Sequence, residues 1–280
     1  MDGEQREPLE HLARTARVVC FAGLPGTGKS FFVRRLAEVA SAAGRSISLL
    51  QWDVVRPVFE ASPSGHRFPM RDGVTQPMIR KAAGEWVRKA VIGWHDLHPG
   101  SAPLLIGETP LVGNRFVELV RRRNDPAEAL LAGETCVFVV PVPSAAARRE
   151  FEVARAKRAA EETDDRGGAV PSVLAALWDE LVEVSRKLGM PATVAAAARP
   201  PYDPALYERV YRRVLANRRS RVFRVDRLEP DSAAAQAPLS FPAPDVVPTL
   251  DEADLAIRET EARYPRPAAL DREIEDWYVV

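Results

Sequence analysis

The chain is poor in cysteine, in lysine and in net charge. Two cysteines in 280 residues exclude a disulfide-stapled secreted scaffold. Cys20 and Cys136 each fall inside an apolar run, so both are expected as buried free thiols in a reducing compartment. Lys plus Arg and Asp plus Glu both total 39, so bulk electrostatics select neither nucleic acid nor a membrane surface as partner. No apolar run reaches the about 18–20 residues that a membrane span needs. No N-terminal stretch resembles a signal peptide, so a cytoplasmic protein is expected. No His/Cys spacing suggests zinc, no Ser-His-Asp arrangement is legible, and there is no internal repeat. Hydrophobic residues make up 46%, which suffices for a sizeable core and excludes global disorder.

What is present starts at residue 23. Gly23-Leu24-Pro25-Gly26-Thr27-Gly28-Lys29-Ser30 matches G-x-x-x-x-G-K-[ST] in full. Such a loop turns its backbone N–H groups toward phosphate oxygens. Glycines allow the close approach, the lysine reaches the β- and γ-phosphates, and the Ser30 hydroxyl suits Mg²⁺. The run 17–22 before it reads as a buried parallel strand. Phe32, Leu36, Val39, Ala40 and Ala43 after it follow helical spacing, with Gly44 at the C-terminal cap. Strand, loop and helix together are the setting this motif requires. Only five of the 39 basic residues are lysines, and one of them is Lys29.

The remaining pattern alternates strands with helices. Residues 1–15 read as a polar lead-in. Strands are predicted at 46–52, 103–106, 135–140 and 221–225. Residues 54–74 read as a long loop rich in Pro, Gly and Ser. Helices are predicted at 75–94, 114–123, 144–162, from Pro171 to Gly189, and from Asp203 onward. This order predicts an α/β fold with a five-stranded parallel sheet and helices on both faces. Residues 1–229 are expected as one domain. Residues 230–248 read as an Ala/Pro-rich linker, and Thr249 with Glu252 as a capping box opening a last helix before a polar tail.

On the octapeptide and this element order, the chain resembles the P-loop kinases of small molecules and nucleotides. The spelling of 23–30 is most similar to the polynucleotide-kinase and zeta-toxin-like branch. The resemblance covers residues 16–228, and only 23–30 is specific as sequence. It implies a P-loop NTPase fold with a helical lid segment over roughly 144–170, ATP as phosphoryl donor, Mg²⁺, and a hydroxyl acceptor on a small molecule or nucleotide. Asp53, after the second strand, matches the position of the base that takes the acceptor's proton. Glu108, after the third strand, matches an acidic position near the Mg²⁺ shell, where the broader class uses Asp; the longer side chain would act through water or orient substrate. Arg148 and Arg155 lead the candidate lid arginines, with Arg149, Arg158 and Arg166 beside them. Arg56, Arg67 and Arg71 in the 54–74 stretch, and Asn114 and Arg115 after the third strand, are the candidate acceptor contacts.

Two other readings stay open at this level. One is a nucleotide-dependent regulatory ATPase or switch with no acceptor, although the Asn-Lys-x-Asp motif of guanine-specific switches is absent. The other is a kinase of RNA ends or tRNA, which the basic runs 121–123 and 218–219 leave open.

Overall fold

A computed structural model describes residues 3–161, 171–190, 200–227 and 239–280. The chain builds α1 (Gly3–Thr15), β1 (Val18–Ala22), α2 (Lys29–Ala42), β2 (Ile47–Gln51), α3 (Trp52–Ala61), α4 (Pro77–Leu97), β3 (Leu104–Thr109), α5 (Pro126–Leu131) and β4 (Cys136–Pro143). It continues with α6 (Ala145–Glu161), α7 (Pro171–Lys187), α8 (Pro204–Val214), β5 (Ser220–Val225), α9 (Leu250–Arg263) and α10 (Pro267–Glu275). The five strands form one sheet in the order β2-β3-β1-β4-β5, and every pairing is parallel. This is the expected α/β fold, a five-stranded parallel sheet with helices on both faces, and the glycine-rich loop 23–30 lies between its central strand and the following helix.

Strand periodicity divides the core. Along β1, Val18, Cys20 and Ala22 face one apolar cluster and Val19 and Phe21 the other. β4 repeats this with Cys136, Phe138, Val140 and Val142 against Val137 and Val139. The first face is covered by residues from α3, α4, α7, α8, α9 and α10, and the second by α1 and α2. Cys20 and Cys136 are buried free thiols, as expected, and burial pushes the Cys136 thiol up to about 12.

Besides the short helix α5, which the sequence reading did not predict, the structure departs from sequence expectation at five places. Residues 3–15 are not a lead-in but the helix α1, whose Leu9, Leu12 and Ala13, with Ala16 just beyond, form a buried stripe lying on α2. The first ten residues of the expected 54–74 loop are mostly helix. In α3, Trp52, Val55 and Phe59 fall on one buried face, and their packing outweighs the N–H that Pro57 withholds. The helix expected over 114–123 shrinks to a single 3-10 turn, Val117–Leu119, because Leu111, Asn114 and Phe116 all adopt positive φ (59°, 63° and 61°). The expected linker is not free over its described part. Residues 244–246 lie along the outer edge of β2, with Leu49 N–H donating to the Pro244 carbonyl (2.9 Å) and Val246 N–H to that of Leu49 (2.6 Å). Finally, α10 replaces the polar tail, and Trp277 just after it is fully buried.

The capping box is formed as predicted: Glu252 N–H donates to Thr249 Oγ1, and Thr249 N–H to the Glu252 carboxylate. Trp86, Trp94 and Trp178 are core residues, as their spacing predicts.

Candidate active site

Parallel register assembles the site. The carboxyl ends of β1, β2 and β3 lie at one edge, the usual position of a ligand crevice in such sheets. Glu108 in β3 is paired with Phe21 of β1 on one side and Gln51 of β2 on the other. The loop 23–30 leaves β1 one residue beyond Phe21, and Asp53 follows Gln51 by two. Three stretches distant in sequence therefore meet around Glu108.

Within the loop, Gly28 is the N-cap of α2 at φ 88°, ψ 10°, a left-handed conformation that a side chain would strain. Gly23 is needed for space, because a Cβ there would run into the Tyr207 hydroxyl. Its N–H donates to the Thr109 carbonyl (3.1 Å), tying the loop to the end of β3. Lys29 is nearly buried. Its Nζ donates to the Leu24 carbonyl (3.0 Å) and stands 3.6 Å from Glu108 Oε1. Ser30 Oγ donates to the same carboxylate oxygen at 3.2 Å. Thr27 Oγ1 also donates to the Leu24 carbonyl, at 2.8 Å.

Burial raises the pKa of Glu108, and the nearby negative charge of Asp53 adds to this, while Lys29 and the Ser30 hydroxyl pull it down. Asp53 itself is exposed in the first turn of α3, where the helix dipole favours a carboxylate. The donor set fits a magnesium–polyphosphate group. A hydroxyl and a carboxylate, both hard oxygen ligands, meet beside an ammonium at a helix N-terminus. Gly26 keeps open space where a Cβ would stand.

The other candidates are distributed unevenly. Arg115 is buried, and Nη1 caps the Val112 carbonyl at 2.7 Å. Burial lowers its pKa, opposed by the charges of Glu180 and Asp53, which places the guanidinium within electrostatic reach of both carboxylates. Arg56 pairs with Glu60 (2.9 Å), and its charge also reaches Arg115. Asn114 is fully buried, and its amide donates to the Glu273 carbonyl of α10 (3.3 Å). Arg67 is exposed and paired with Glu261 of α9 (2.6 Å), and Arg71 is exposed and bridged through its backbone to Val74. Among the described contacts, neither Arg67 nor Arg71 touches the loop, Glu108 or Asp53.

Arg148, in the first turn of α6, is 4% exposed. Its Nε donates to Glu152 (2.7 Å), its guanidinium carbon lies 5.3 Å over the Tyr202 ring, and Nη1 is buried with no hydrogen-bond partner among the described residues. Arg149 is exposed. The side chains of Arg155 and Arg158, and all of Arg166, lie outside the described residues.

Sequence reading did not single out Tyr207 or Glu180 for the site. Tyr207 accepts a hydrogen bond from Leu24 N–H at 3.2 Å. The available signal was three tyrosines, 202, 207 and 211, on or beside one helix; a buried tyrosine hydroxyl needs a partner, and here the glycine-rich loop supplies it. Glu180 carried no signal, since a carboxylate on α7 reads as a solvated face.

No helix among the described residues is long and apolar enough to cross a membrane. No protein-family model matches the chain, and no curated protein matches it. Among solved structures it is similar to shikimate kinase from Acinetobacter baumannii in complex with shikimate, at 15% identity and a TM-score of 0.27, over 74% of this chain and 98% of that one.

Proposed function

We propose that this chain is an ATP-dependent phosphotransferase of the P-loop kinase group, moving a γ-phosphoryl group to a hydroxyl of a small molecule or nucleotide. The observation that carries the reading is the meeting of Lys29, Ser30 and Glu108 within hydrogen-bond or ion-pair distance at the end of the central strands, with Asp53 close enough to perturb Glu108.

The geometry supports the following roles. Loop amides and Lys29 bind the β- and γ-phosphates. Ser30 and Glu108 would hold Mg²⁺, Glu108 directly or through water. Mg²⁺ bound there supplies charge neutralisation on the phosphate oxygens. Asp53, exposed in the first turn of α3, accepts the proton of the attacking hydroxyl. Arg148, whose buried Nη1 has no hydrogen-bond partner among the described residues, would meet negative charge developing on the transferred group. Arg115 and Arg56, the two candidate arginines in electrostatic contact with one another, contribute the positive side of the acceptor pocket and favour an acceptor that is itself anionic. The polynucleotide-kinase or zeta-toxin-like branch is the finer assignment, on the spelling of 23–30.

The test is transfer of labelled γ-phosphate from ATP to a panel of hydroxyl compounds with and without a charged group, using the unaltered chain and Asp53→Asn. Asp53→Asn is expected to lower turnover at least about a hundredfold while leaving ATP affinity nearly unchanged. Equal losses in both would remove Asp53 as the base. Failure of the unaltered chain to bind any purine triphosphate would overturn the reading entirely.

A further inference from the structure

We propose that Tyr207 is a positioning residue of the nucleotide site, resting on the kinase reading above: its hydroxyl anchors the phosphate loop at Leu24 and, through Leu24, sets the place of the Lys29 ammonium. Leu24 is held on both flanks. Its N–H donates to Tyr207 Oη (3.2 Å), and its carbonyl accepts from Lys29 Nζ (3.0 Å) and Thr27 Oγ1 (2.8 Å). The Tyr207 hydroxyl also lies in hydrogen-bond reach of Thr27. Tyr207 is fully buried, so the bond has no competition from bulk water. Its oxygen occupies the space that any side chain at residue 23 would need. The glycine and the tyrosine are thus two halves of one fit, 184 positions apart in the chain.

Tyr207 is also the middle of an aromatic ladder. Its ring centroid is 4.7 Å from Tyr211 and 5.7 Å from Tyr202, and Tyr202 is 5.1 Å from Trp178 of α7. Tyr211 Oη donates to the Pro110 carbonyl (2.6 Å), fixing the ladder to the end of β3. Arg148 sits over Tyr202 at the other end. One packed column therefore joins the phosphate loop, the turn after β3 and the guanidinium whose buried Nη1 has no partner among the described residues. Loop and arginine are held in a common frame before any nucleotide arrives.

Tyr207→Phe removes one oxygen and keeps the ring, so the column should survive. Binding of Mg·ADP and Mg·ATP is measured by calorimetry for the unaltered chain, Tyr207→Phe, Lys29→Ala and the double variant. Tyr207→Phe is expected to weaken binding about tenfold, the loss of one buried hydrogen bond, and to have almost no further effect once Lys29 is alanine. Unchanged affinity in Tyr207→Phe, or an equal loss in both backgrounds, would overturn the relay through Lys29 while leaving the kinase reading in place. No nucleotide uptake by the unaltered chain would instead overturn the kinase reading, and this inference with it. Amide hydrogen exchange at Leu24 in the unaltered protein supplies a check that does not depend on folding of a variant: strong protection is expected, and rapid exchange would exclude the anchor.

Discussion

Ser30 and Glu108 are joined by one hydrogen bond of 3.2 Å, Oγ to Oε1, which ties the first turn of α2 to the end of β3. The same oxygen lies 3.6 Å from Lys29 Nζ. A single carboxylate thus faces a hydroxyl and an ammonium contributed by adjacent residues of the phosphate loop.

Glu108→Gln keeps an oxygen for Ser30 and removes the charge opposite Lys29. Turnover of ATP is expected to fall by about 10²–10³, in line with loss of one preorganised electrostatic group. The variant should melt at nearly the temperature of the unaltered chain, because removing a largely buried carboxylate also removes its desolvation cost. Steady-state phosphoryl transfer and thermal melts read the two effects separately. Near-full turnover would show that Glu108 is not part of the reacting site.

Gly84→Ala tests the ionic cluster under α4. A Cβ at Gly84 would collide with Glu118 Oε2. Glu118 is fully buried and cannot swing away without abandoning Lys81 Nζ (2.7 Å), which also contacts Glu85 (3.0 Å) and Glu273. Crowding plus a disturbed buried charge should cost about 3 kcal/mol or more. Denaturant unfolding checks this, and a loss under about 0.5 kcal/mol, the range of ordinary surface changes, would contradict it.

Acid should loosen the far side of the same face. Burial opposes ionisation of Glu128, but hydrogen bonds from Arg218 (2.8 and 2.9 Å) and Arg88 (2.9 Å) outweigh it and hold the carboxyl at about 2, below its ordinary 4.5. A depressed folded value means the stabilisation is complete above pH 4.5 and is lost as pH falls from there toward 2. Glu128→Gln is therefore expected to be less stable at pH 7 and to show a flatter decline between pH 4.5 and 2. Urea titrations at stepped pH read the slope, and an unchanged slope would exclude Glu128 as a source of acid sensitivity.

Thr249→Ala removes the N-cap of α9, whose Ala253, Ala256 and Ile257 are buried. The expected cost is about 1 kcal/mol. Because Asp254 of α9 accepts from Ser64 N–H (2.6 Å), hydrogen exchange at Ser64 should accelerate in the same variant. A cost without that acceleration would mean α9 frays at its cap without releasing Ser64.

The sheet and its loop were legible because their signals are local. β1, the glycine-rich turn and the stripe of α2 lie within 25 consecutive residues, 18–42, and each apolar run keeps the period of its element. The misjudged segments have weak local signals overruled by packing. Pro57 reads as a breaker, yet Trp52 and Phe59 are buried against Phe116 and Trp86. Asn114, Arg115 and Phe116 read as the start of a helix, yet the turn after β3 takes left-handed angles fixed by Tyr211, Glu180 and α10 around it. The site divided likewise. Lys29 and Ser30 were readable as members of a motif, whereas Tyr207 was a core residue until the fold brought it under Leu24.

By itself the sequence determined a glycine-rich loop of the P-loop pattern on a parallel α/β sheet, because backbone freedom at glycine and side-chain periodicity are properties of neighbouring residues. Only the tertiary structure decided which carboxylate faces Lys29, that Arg115 lies within electrostatic reach of Asp53, and that a tyrosine from α8 buttresses the loop. Those choices depend on strand order and register, which bring residues 24, 53, 108, 115 and 207 together through contacts that no short window of the chain contains.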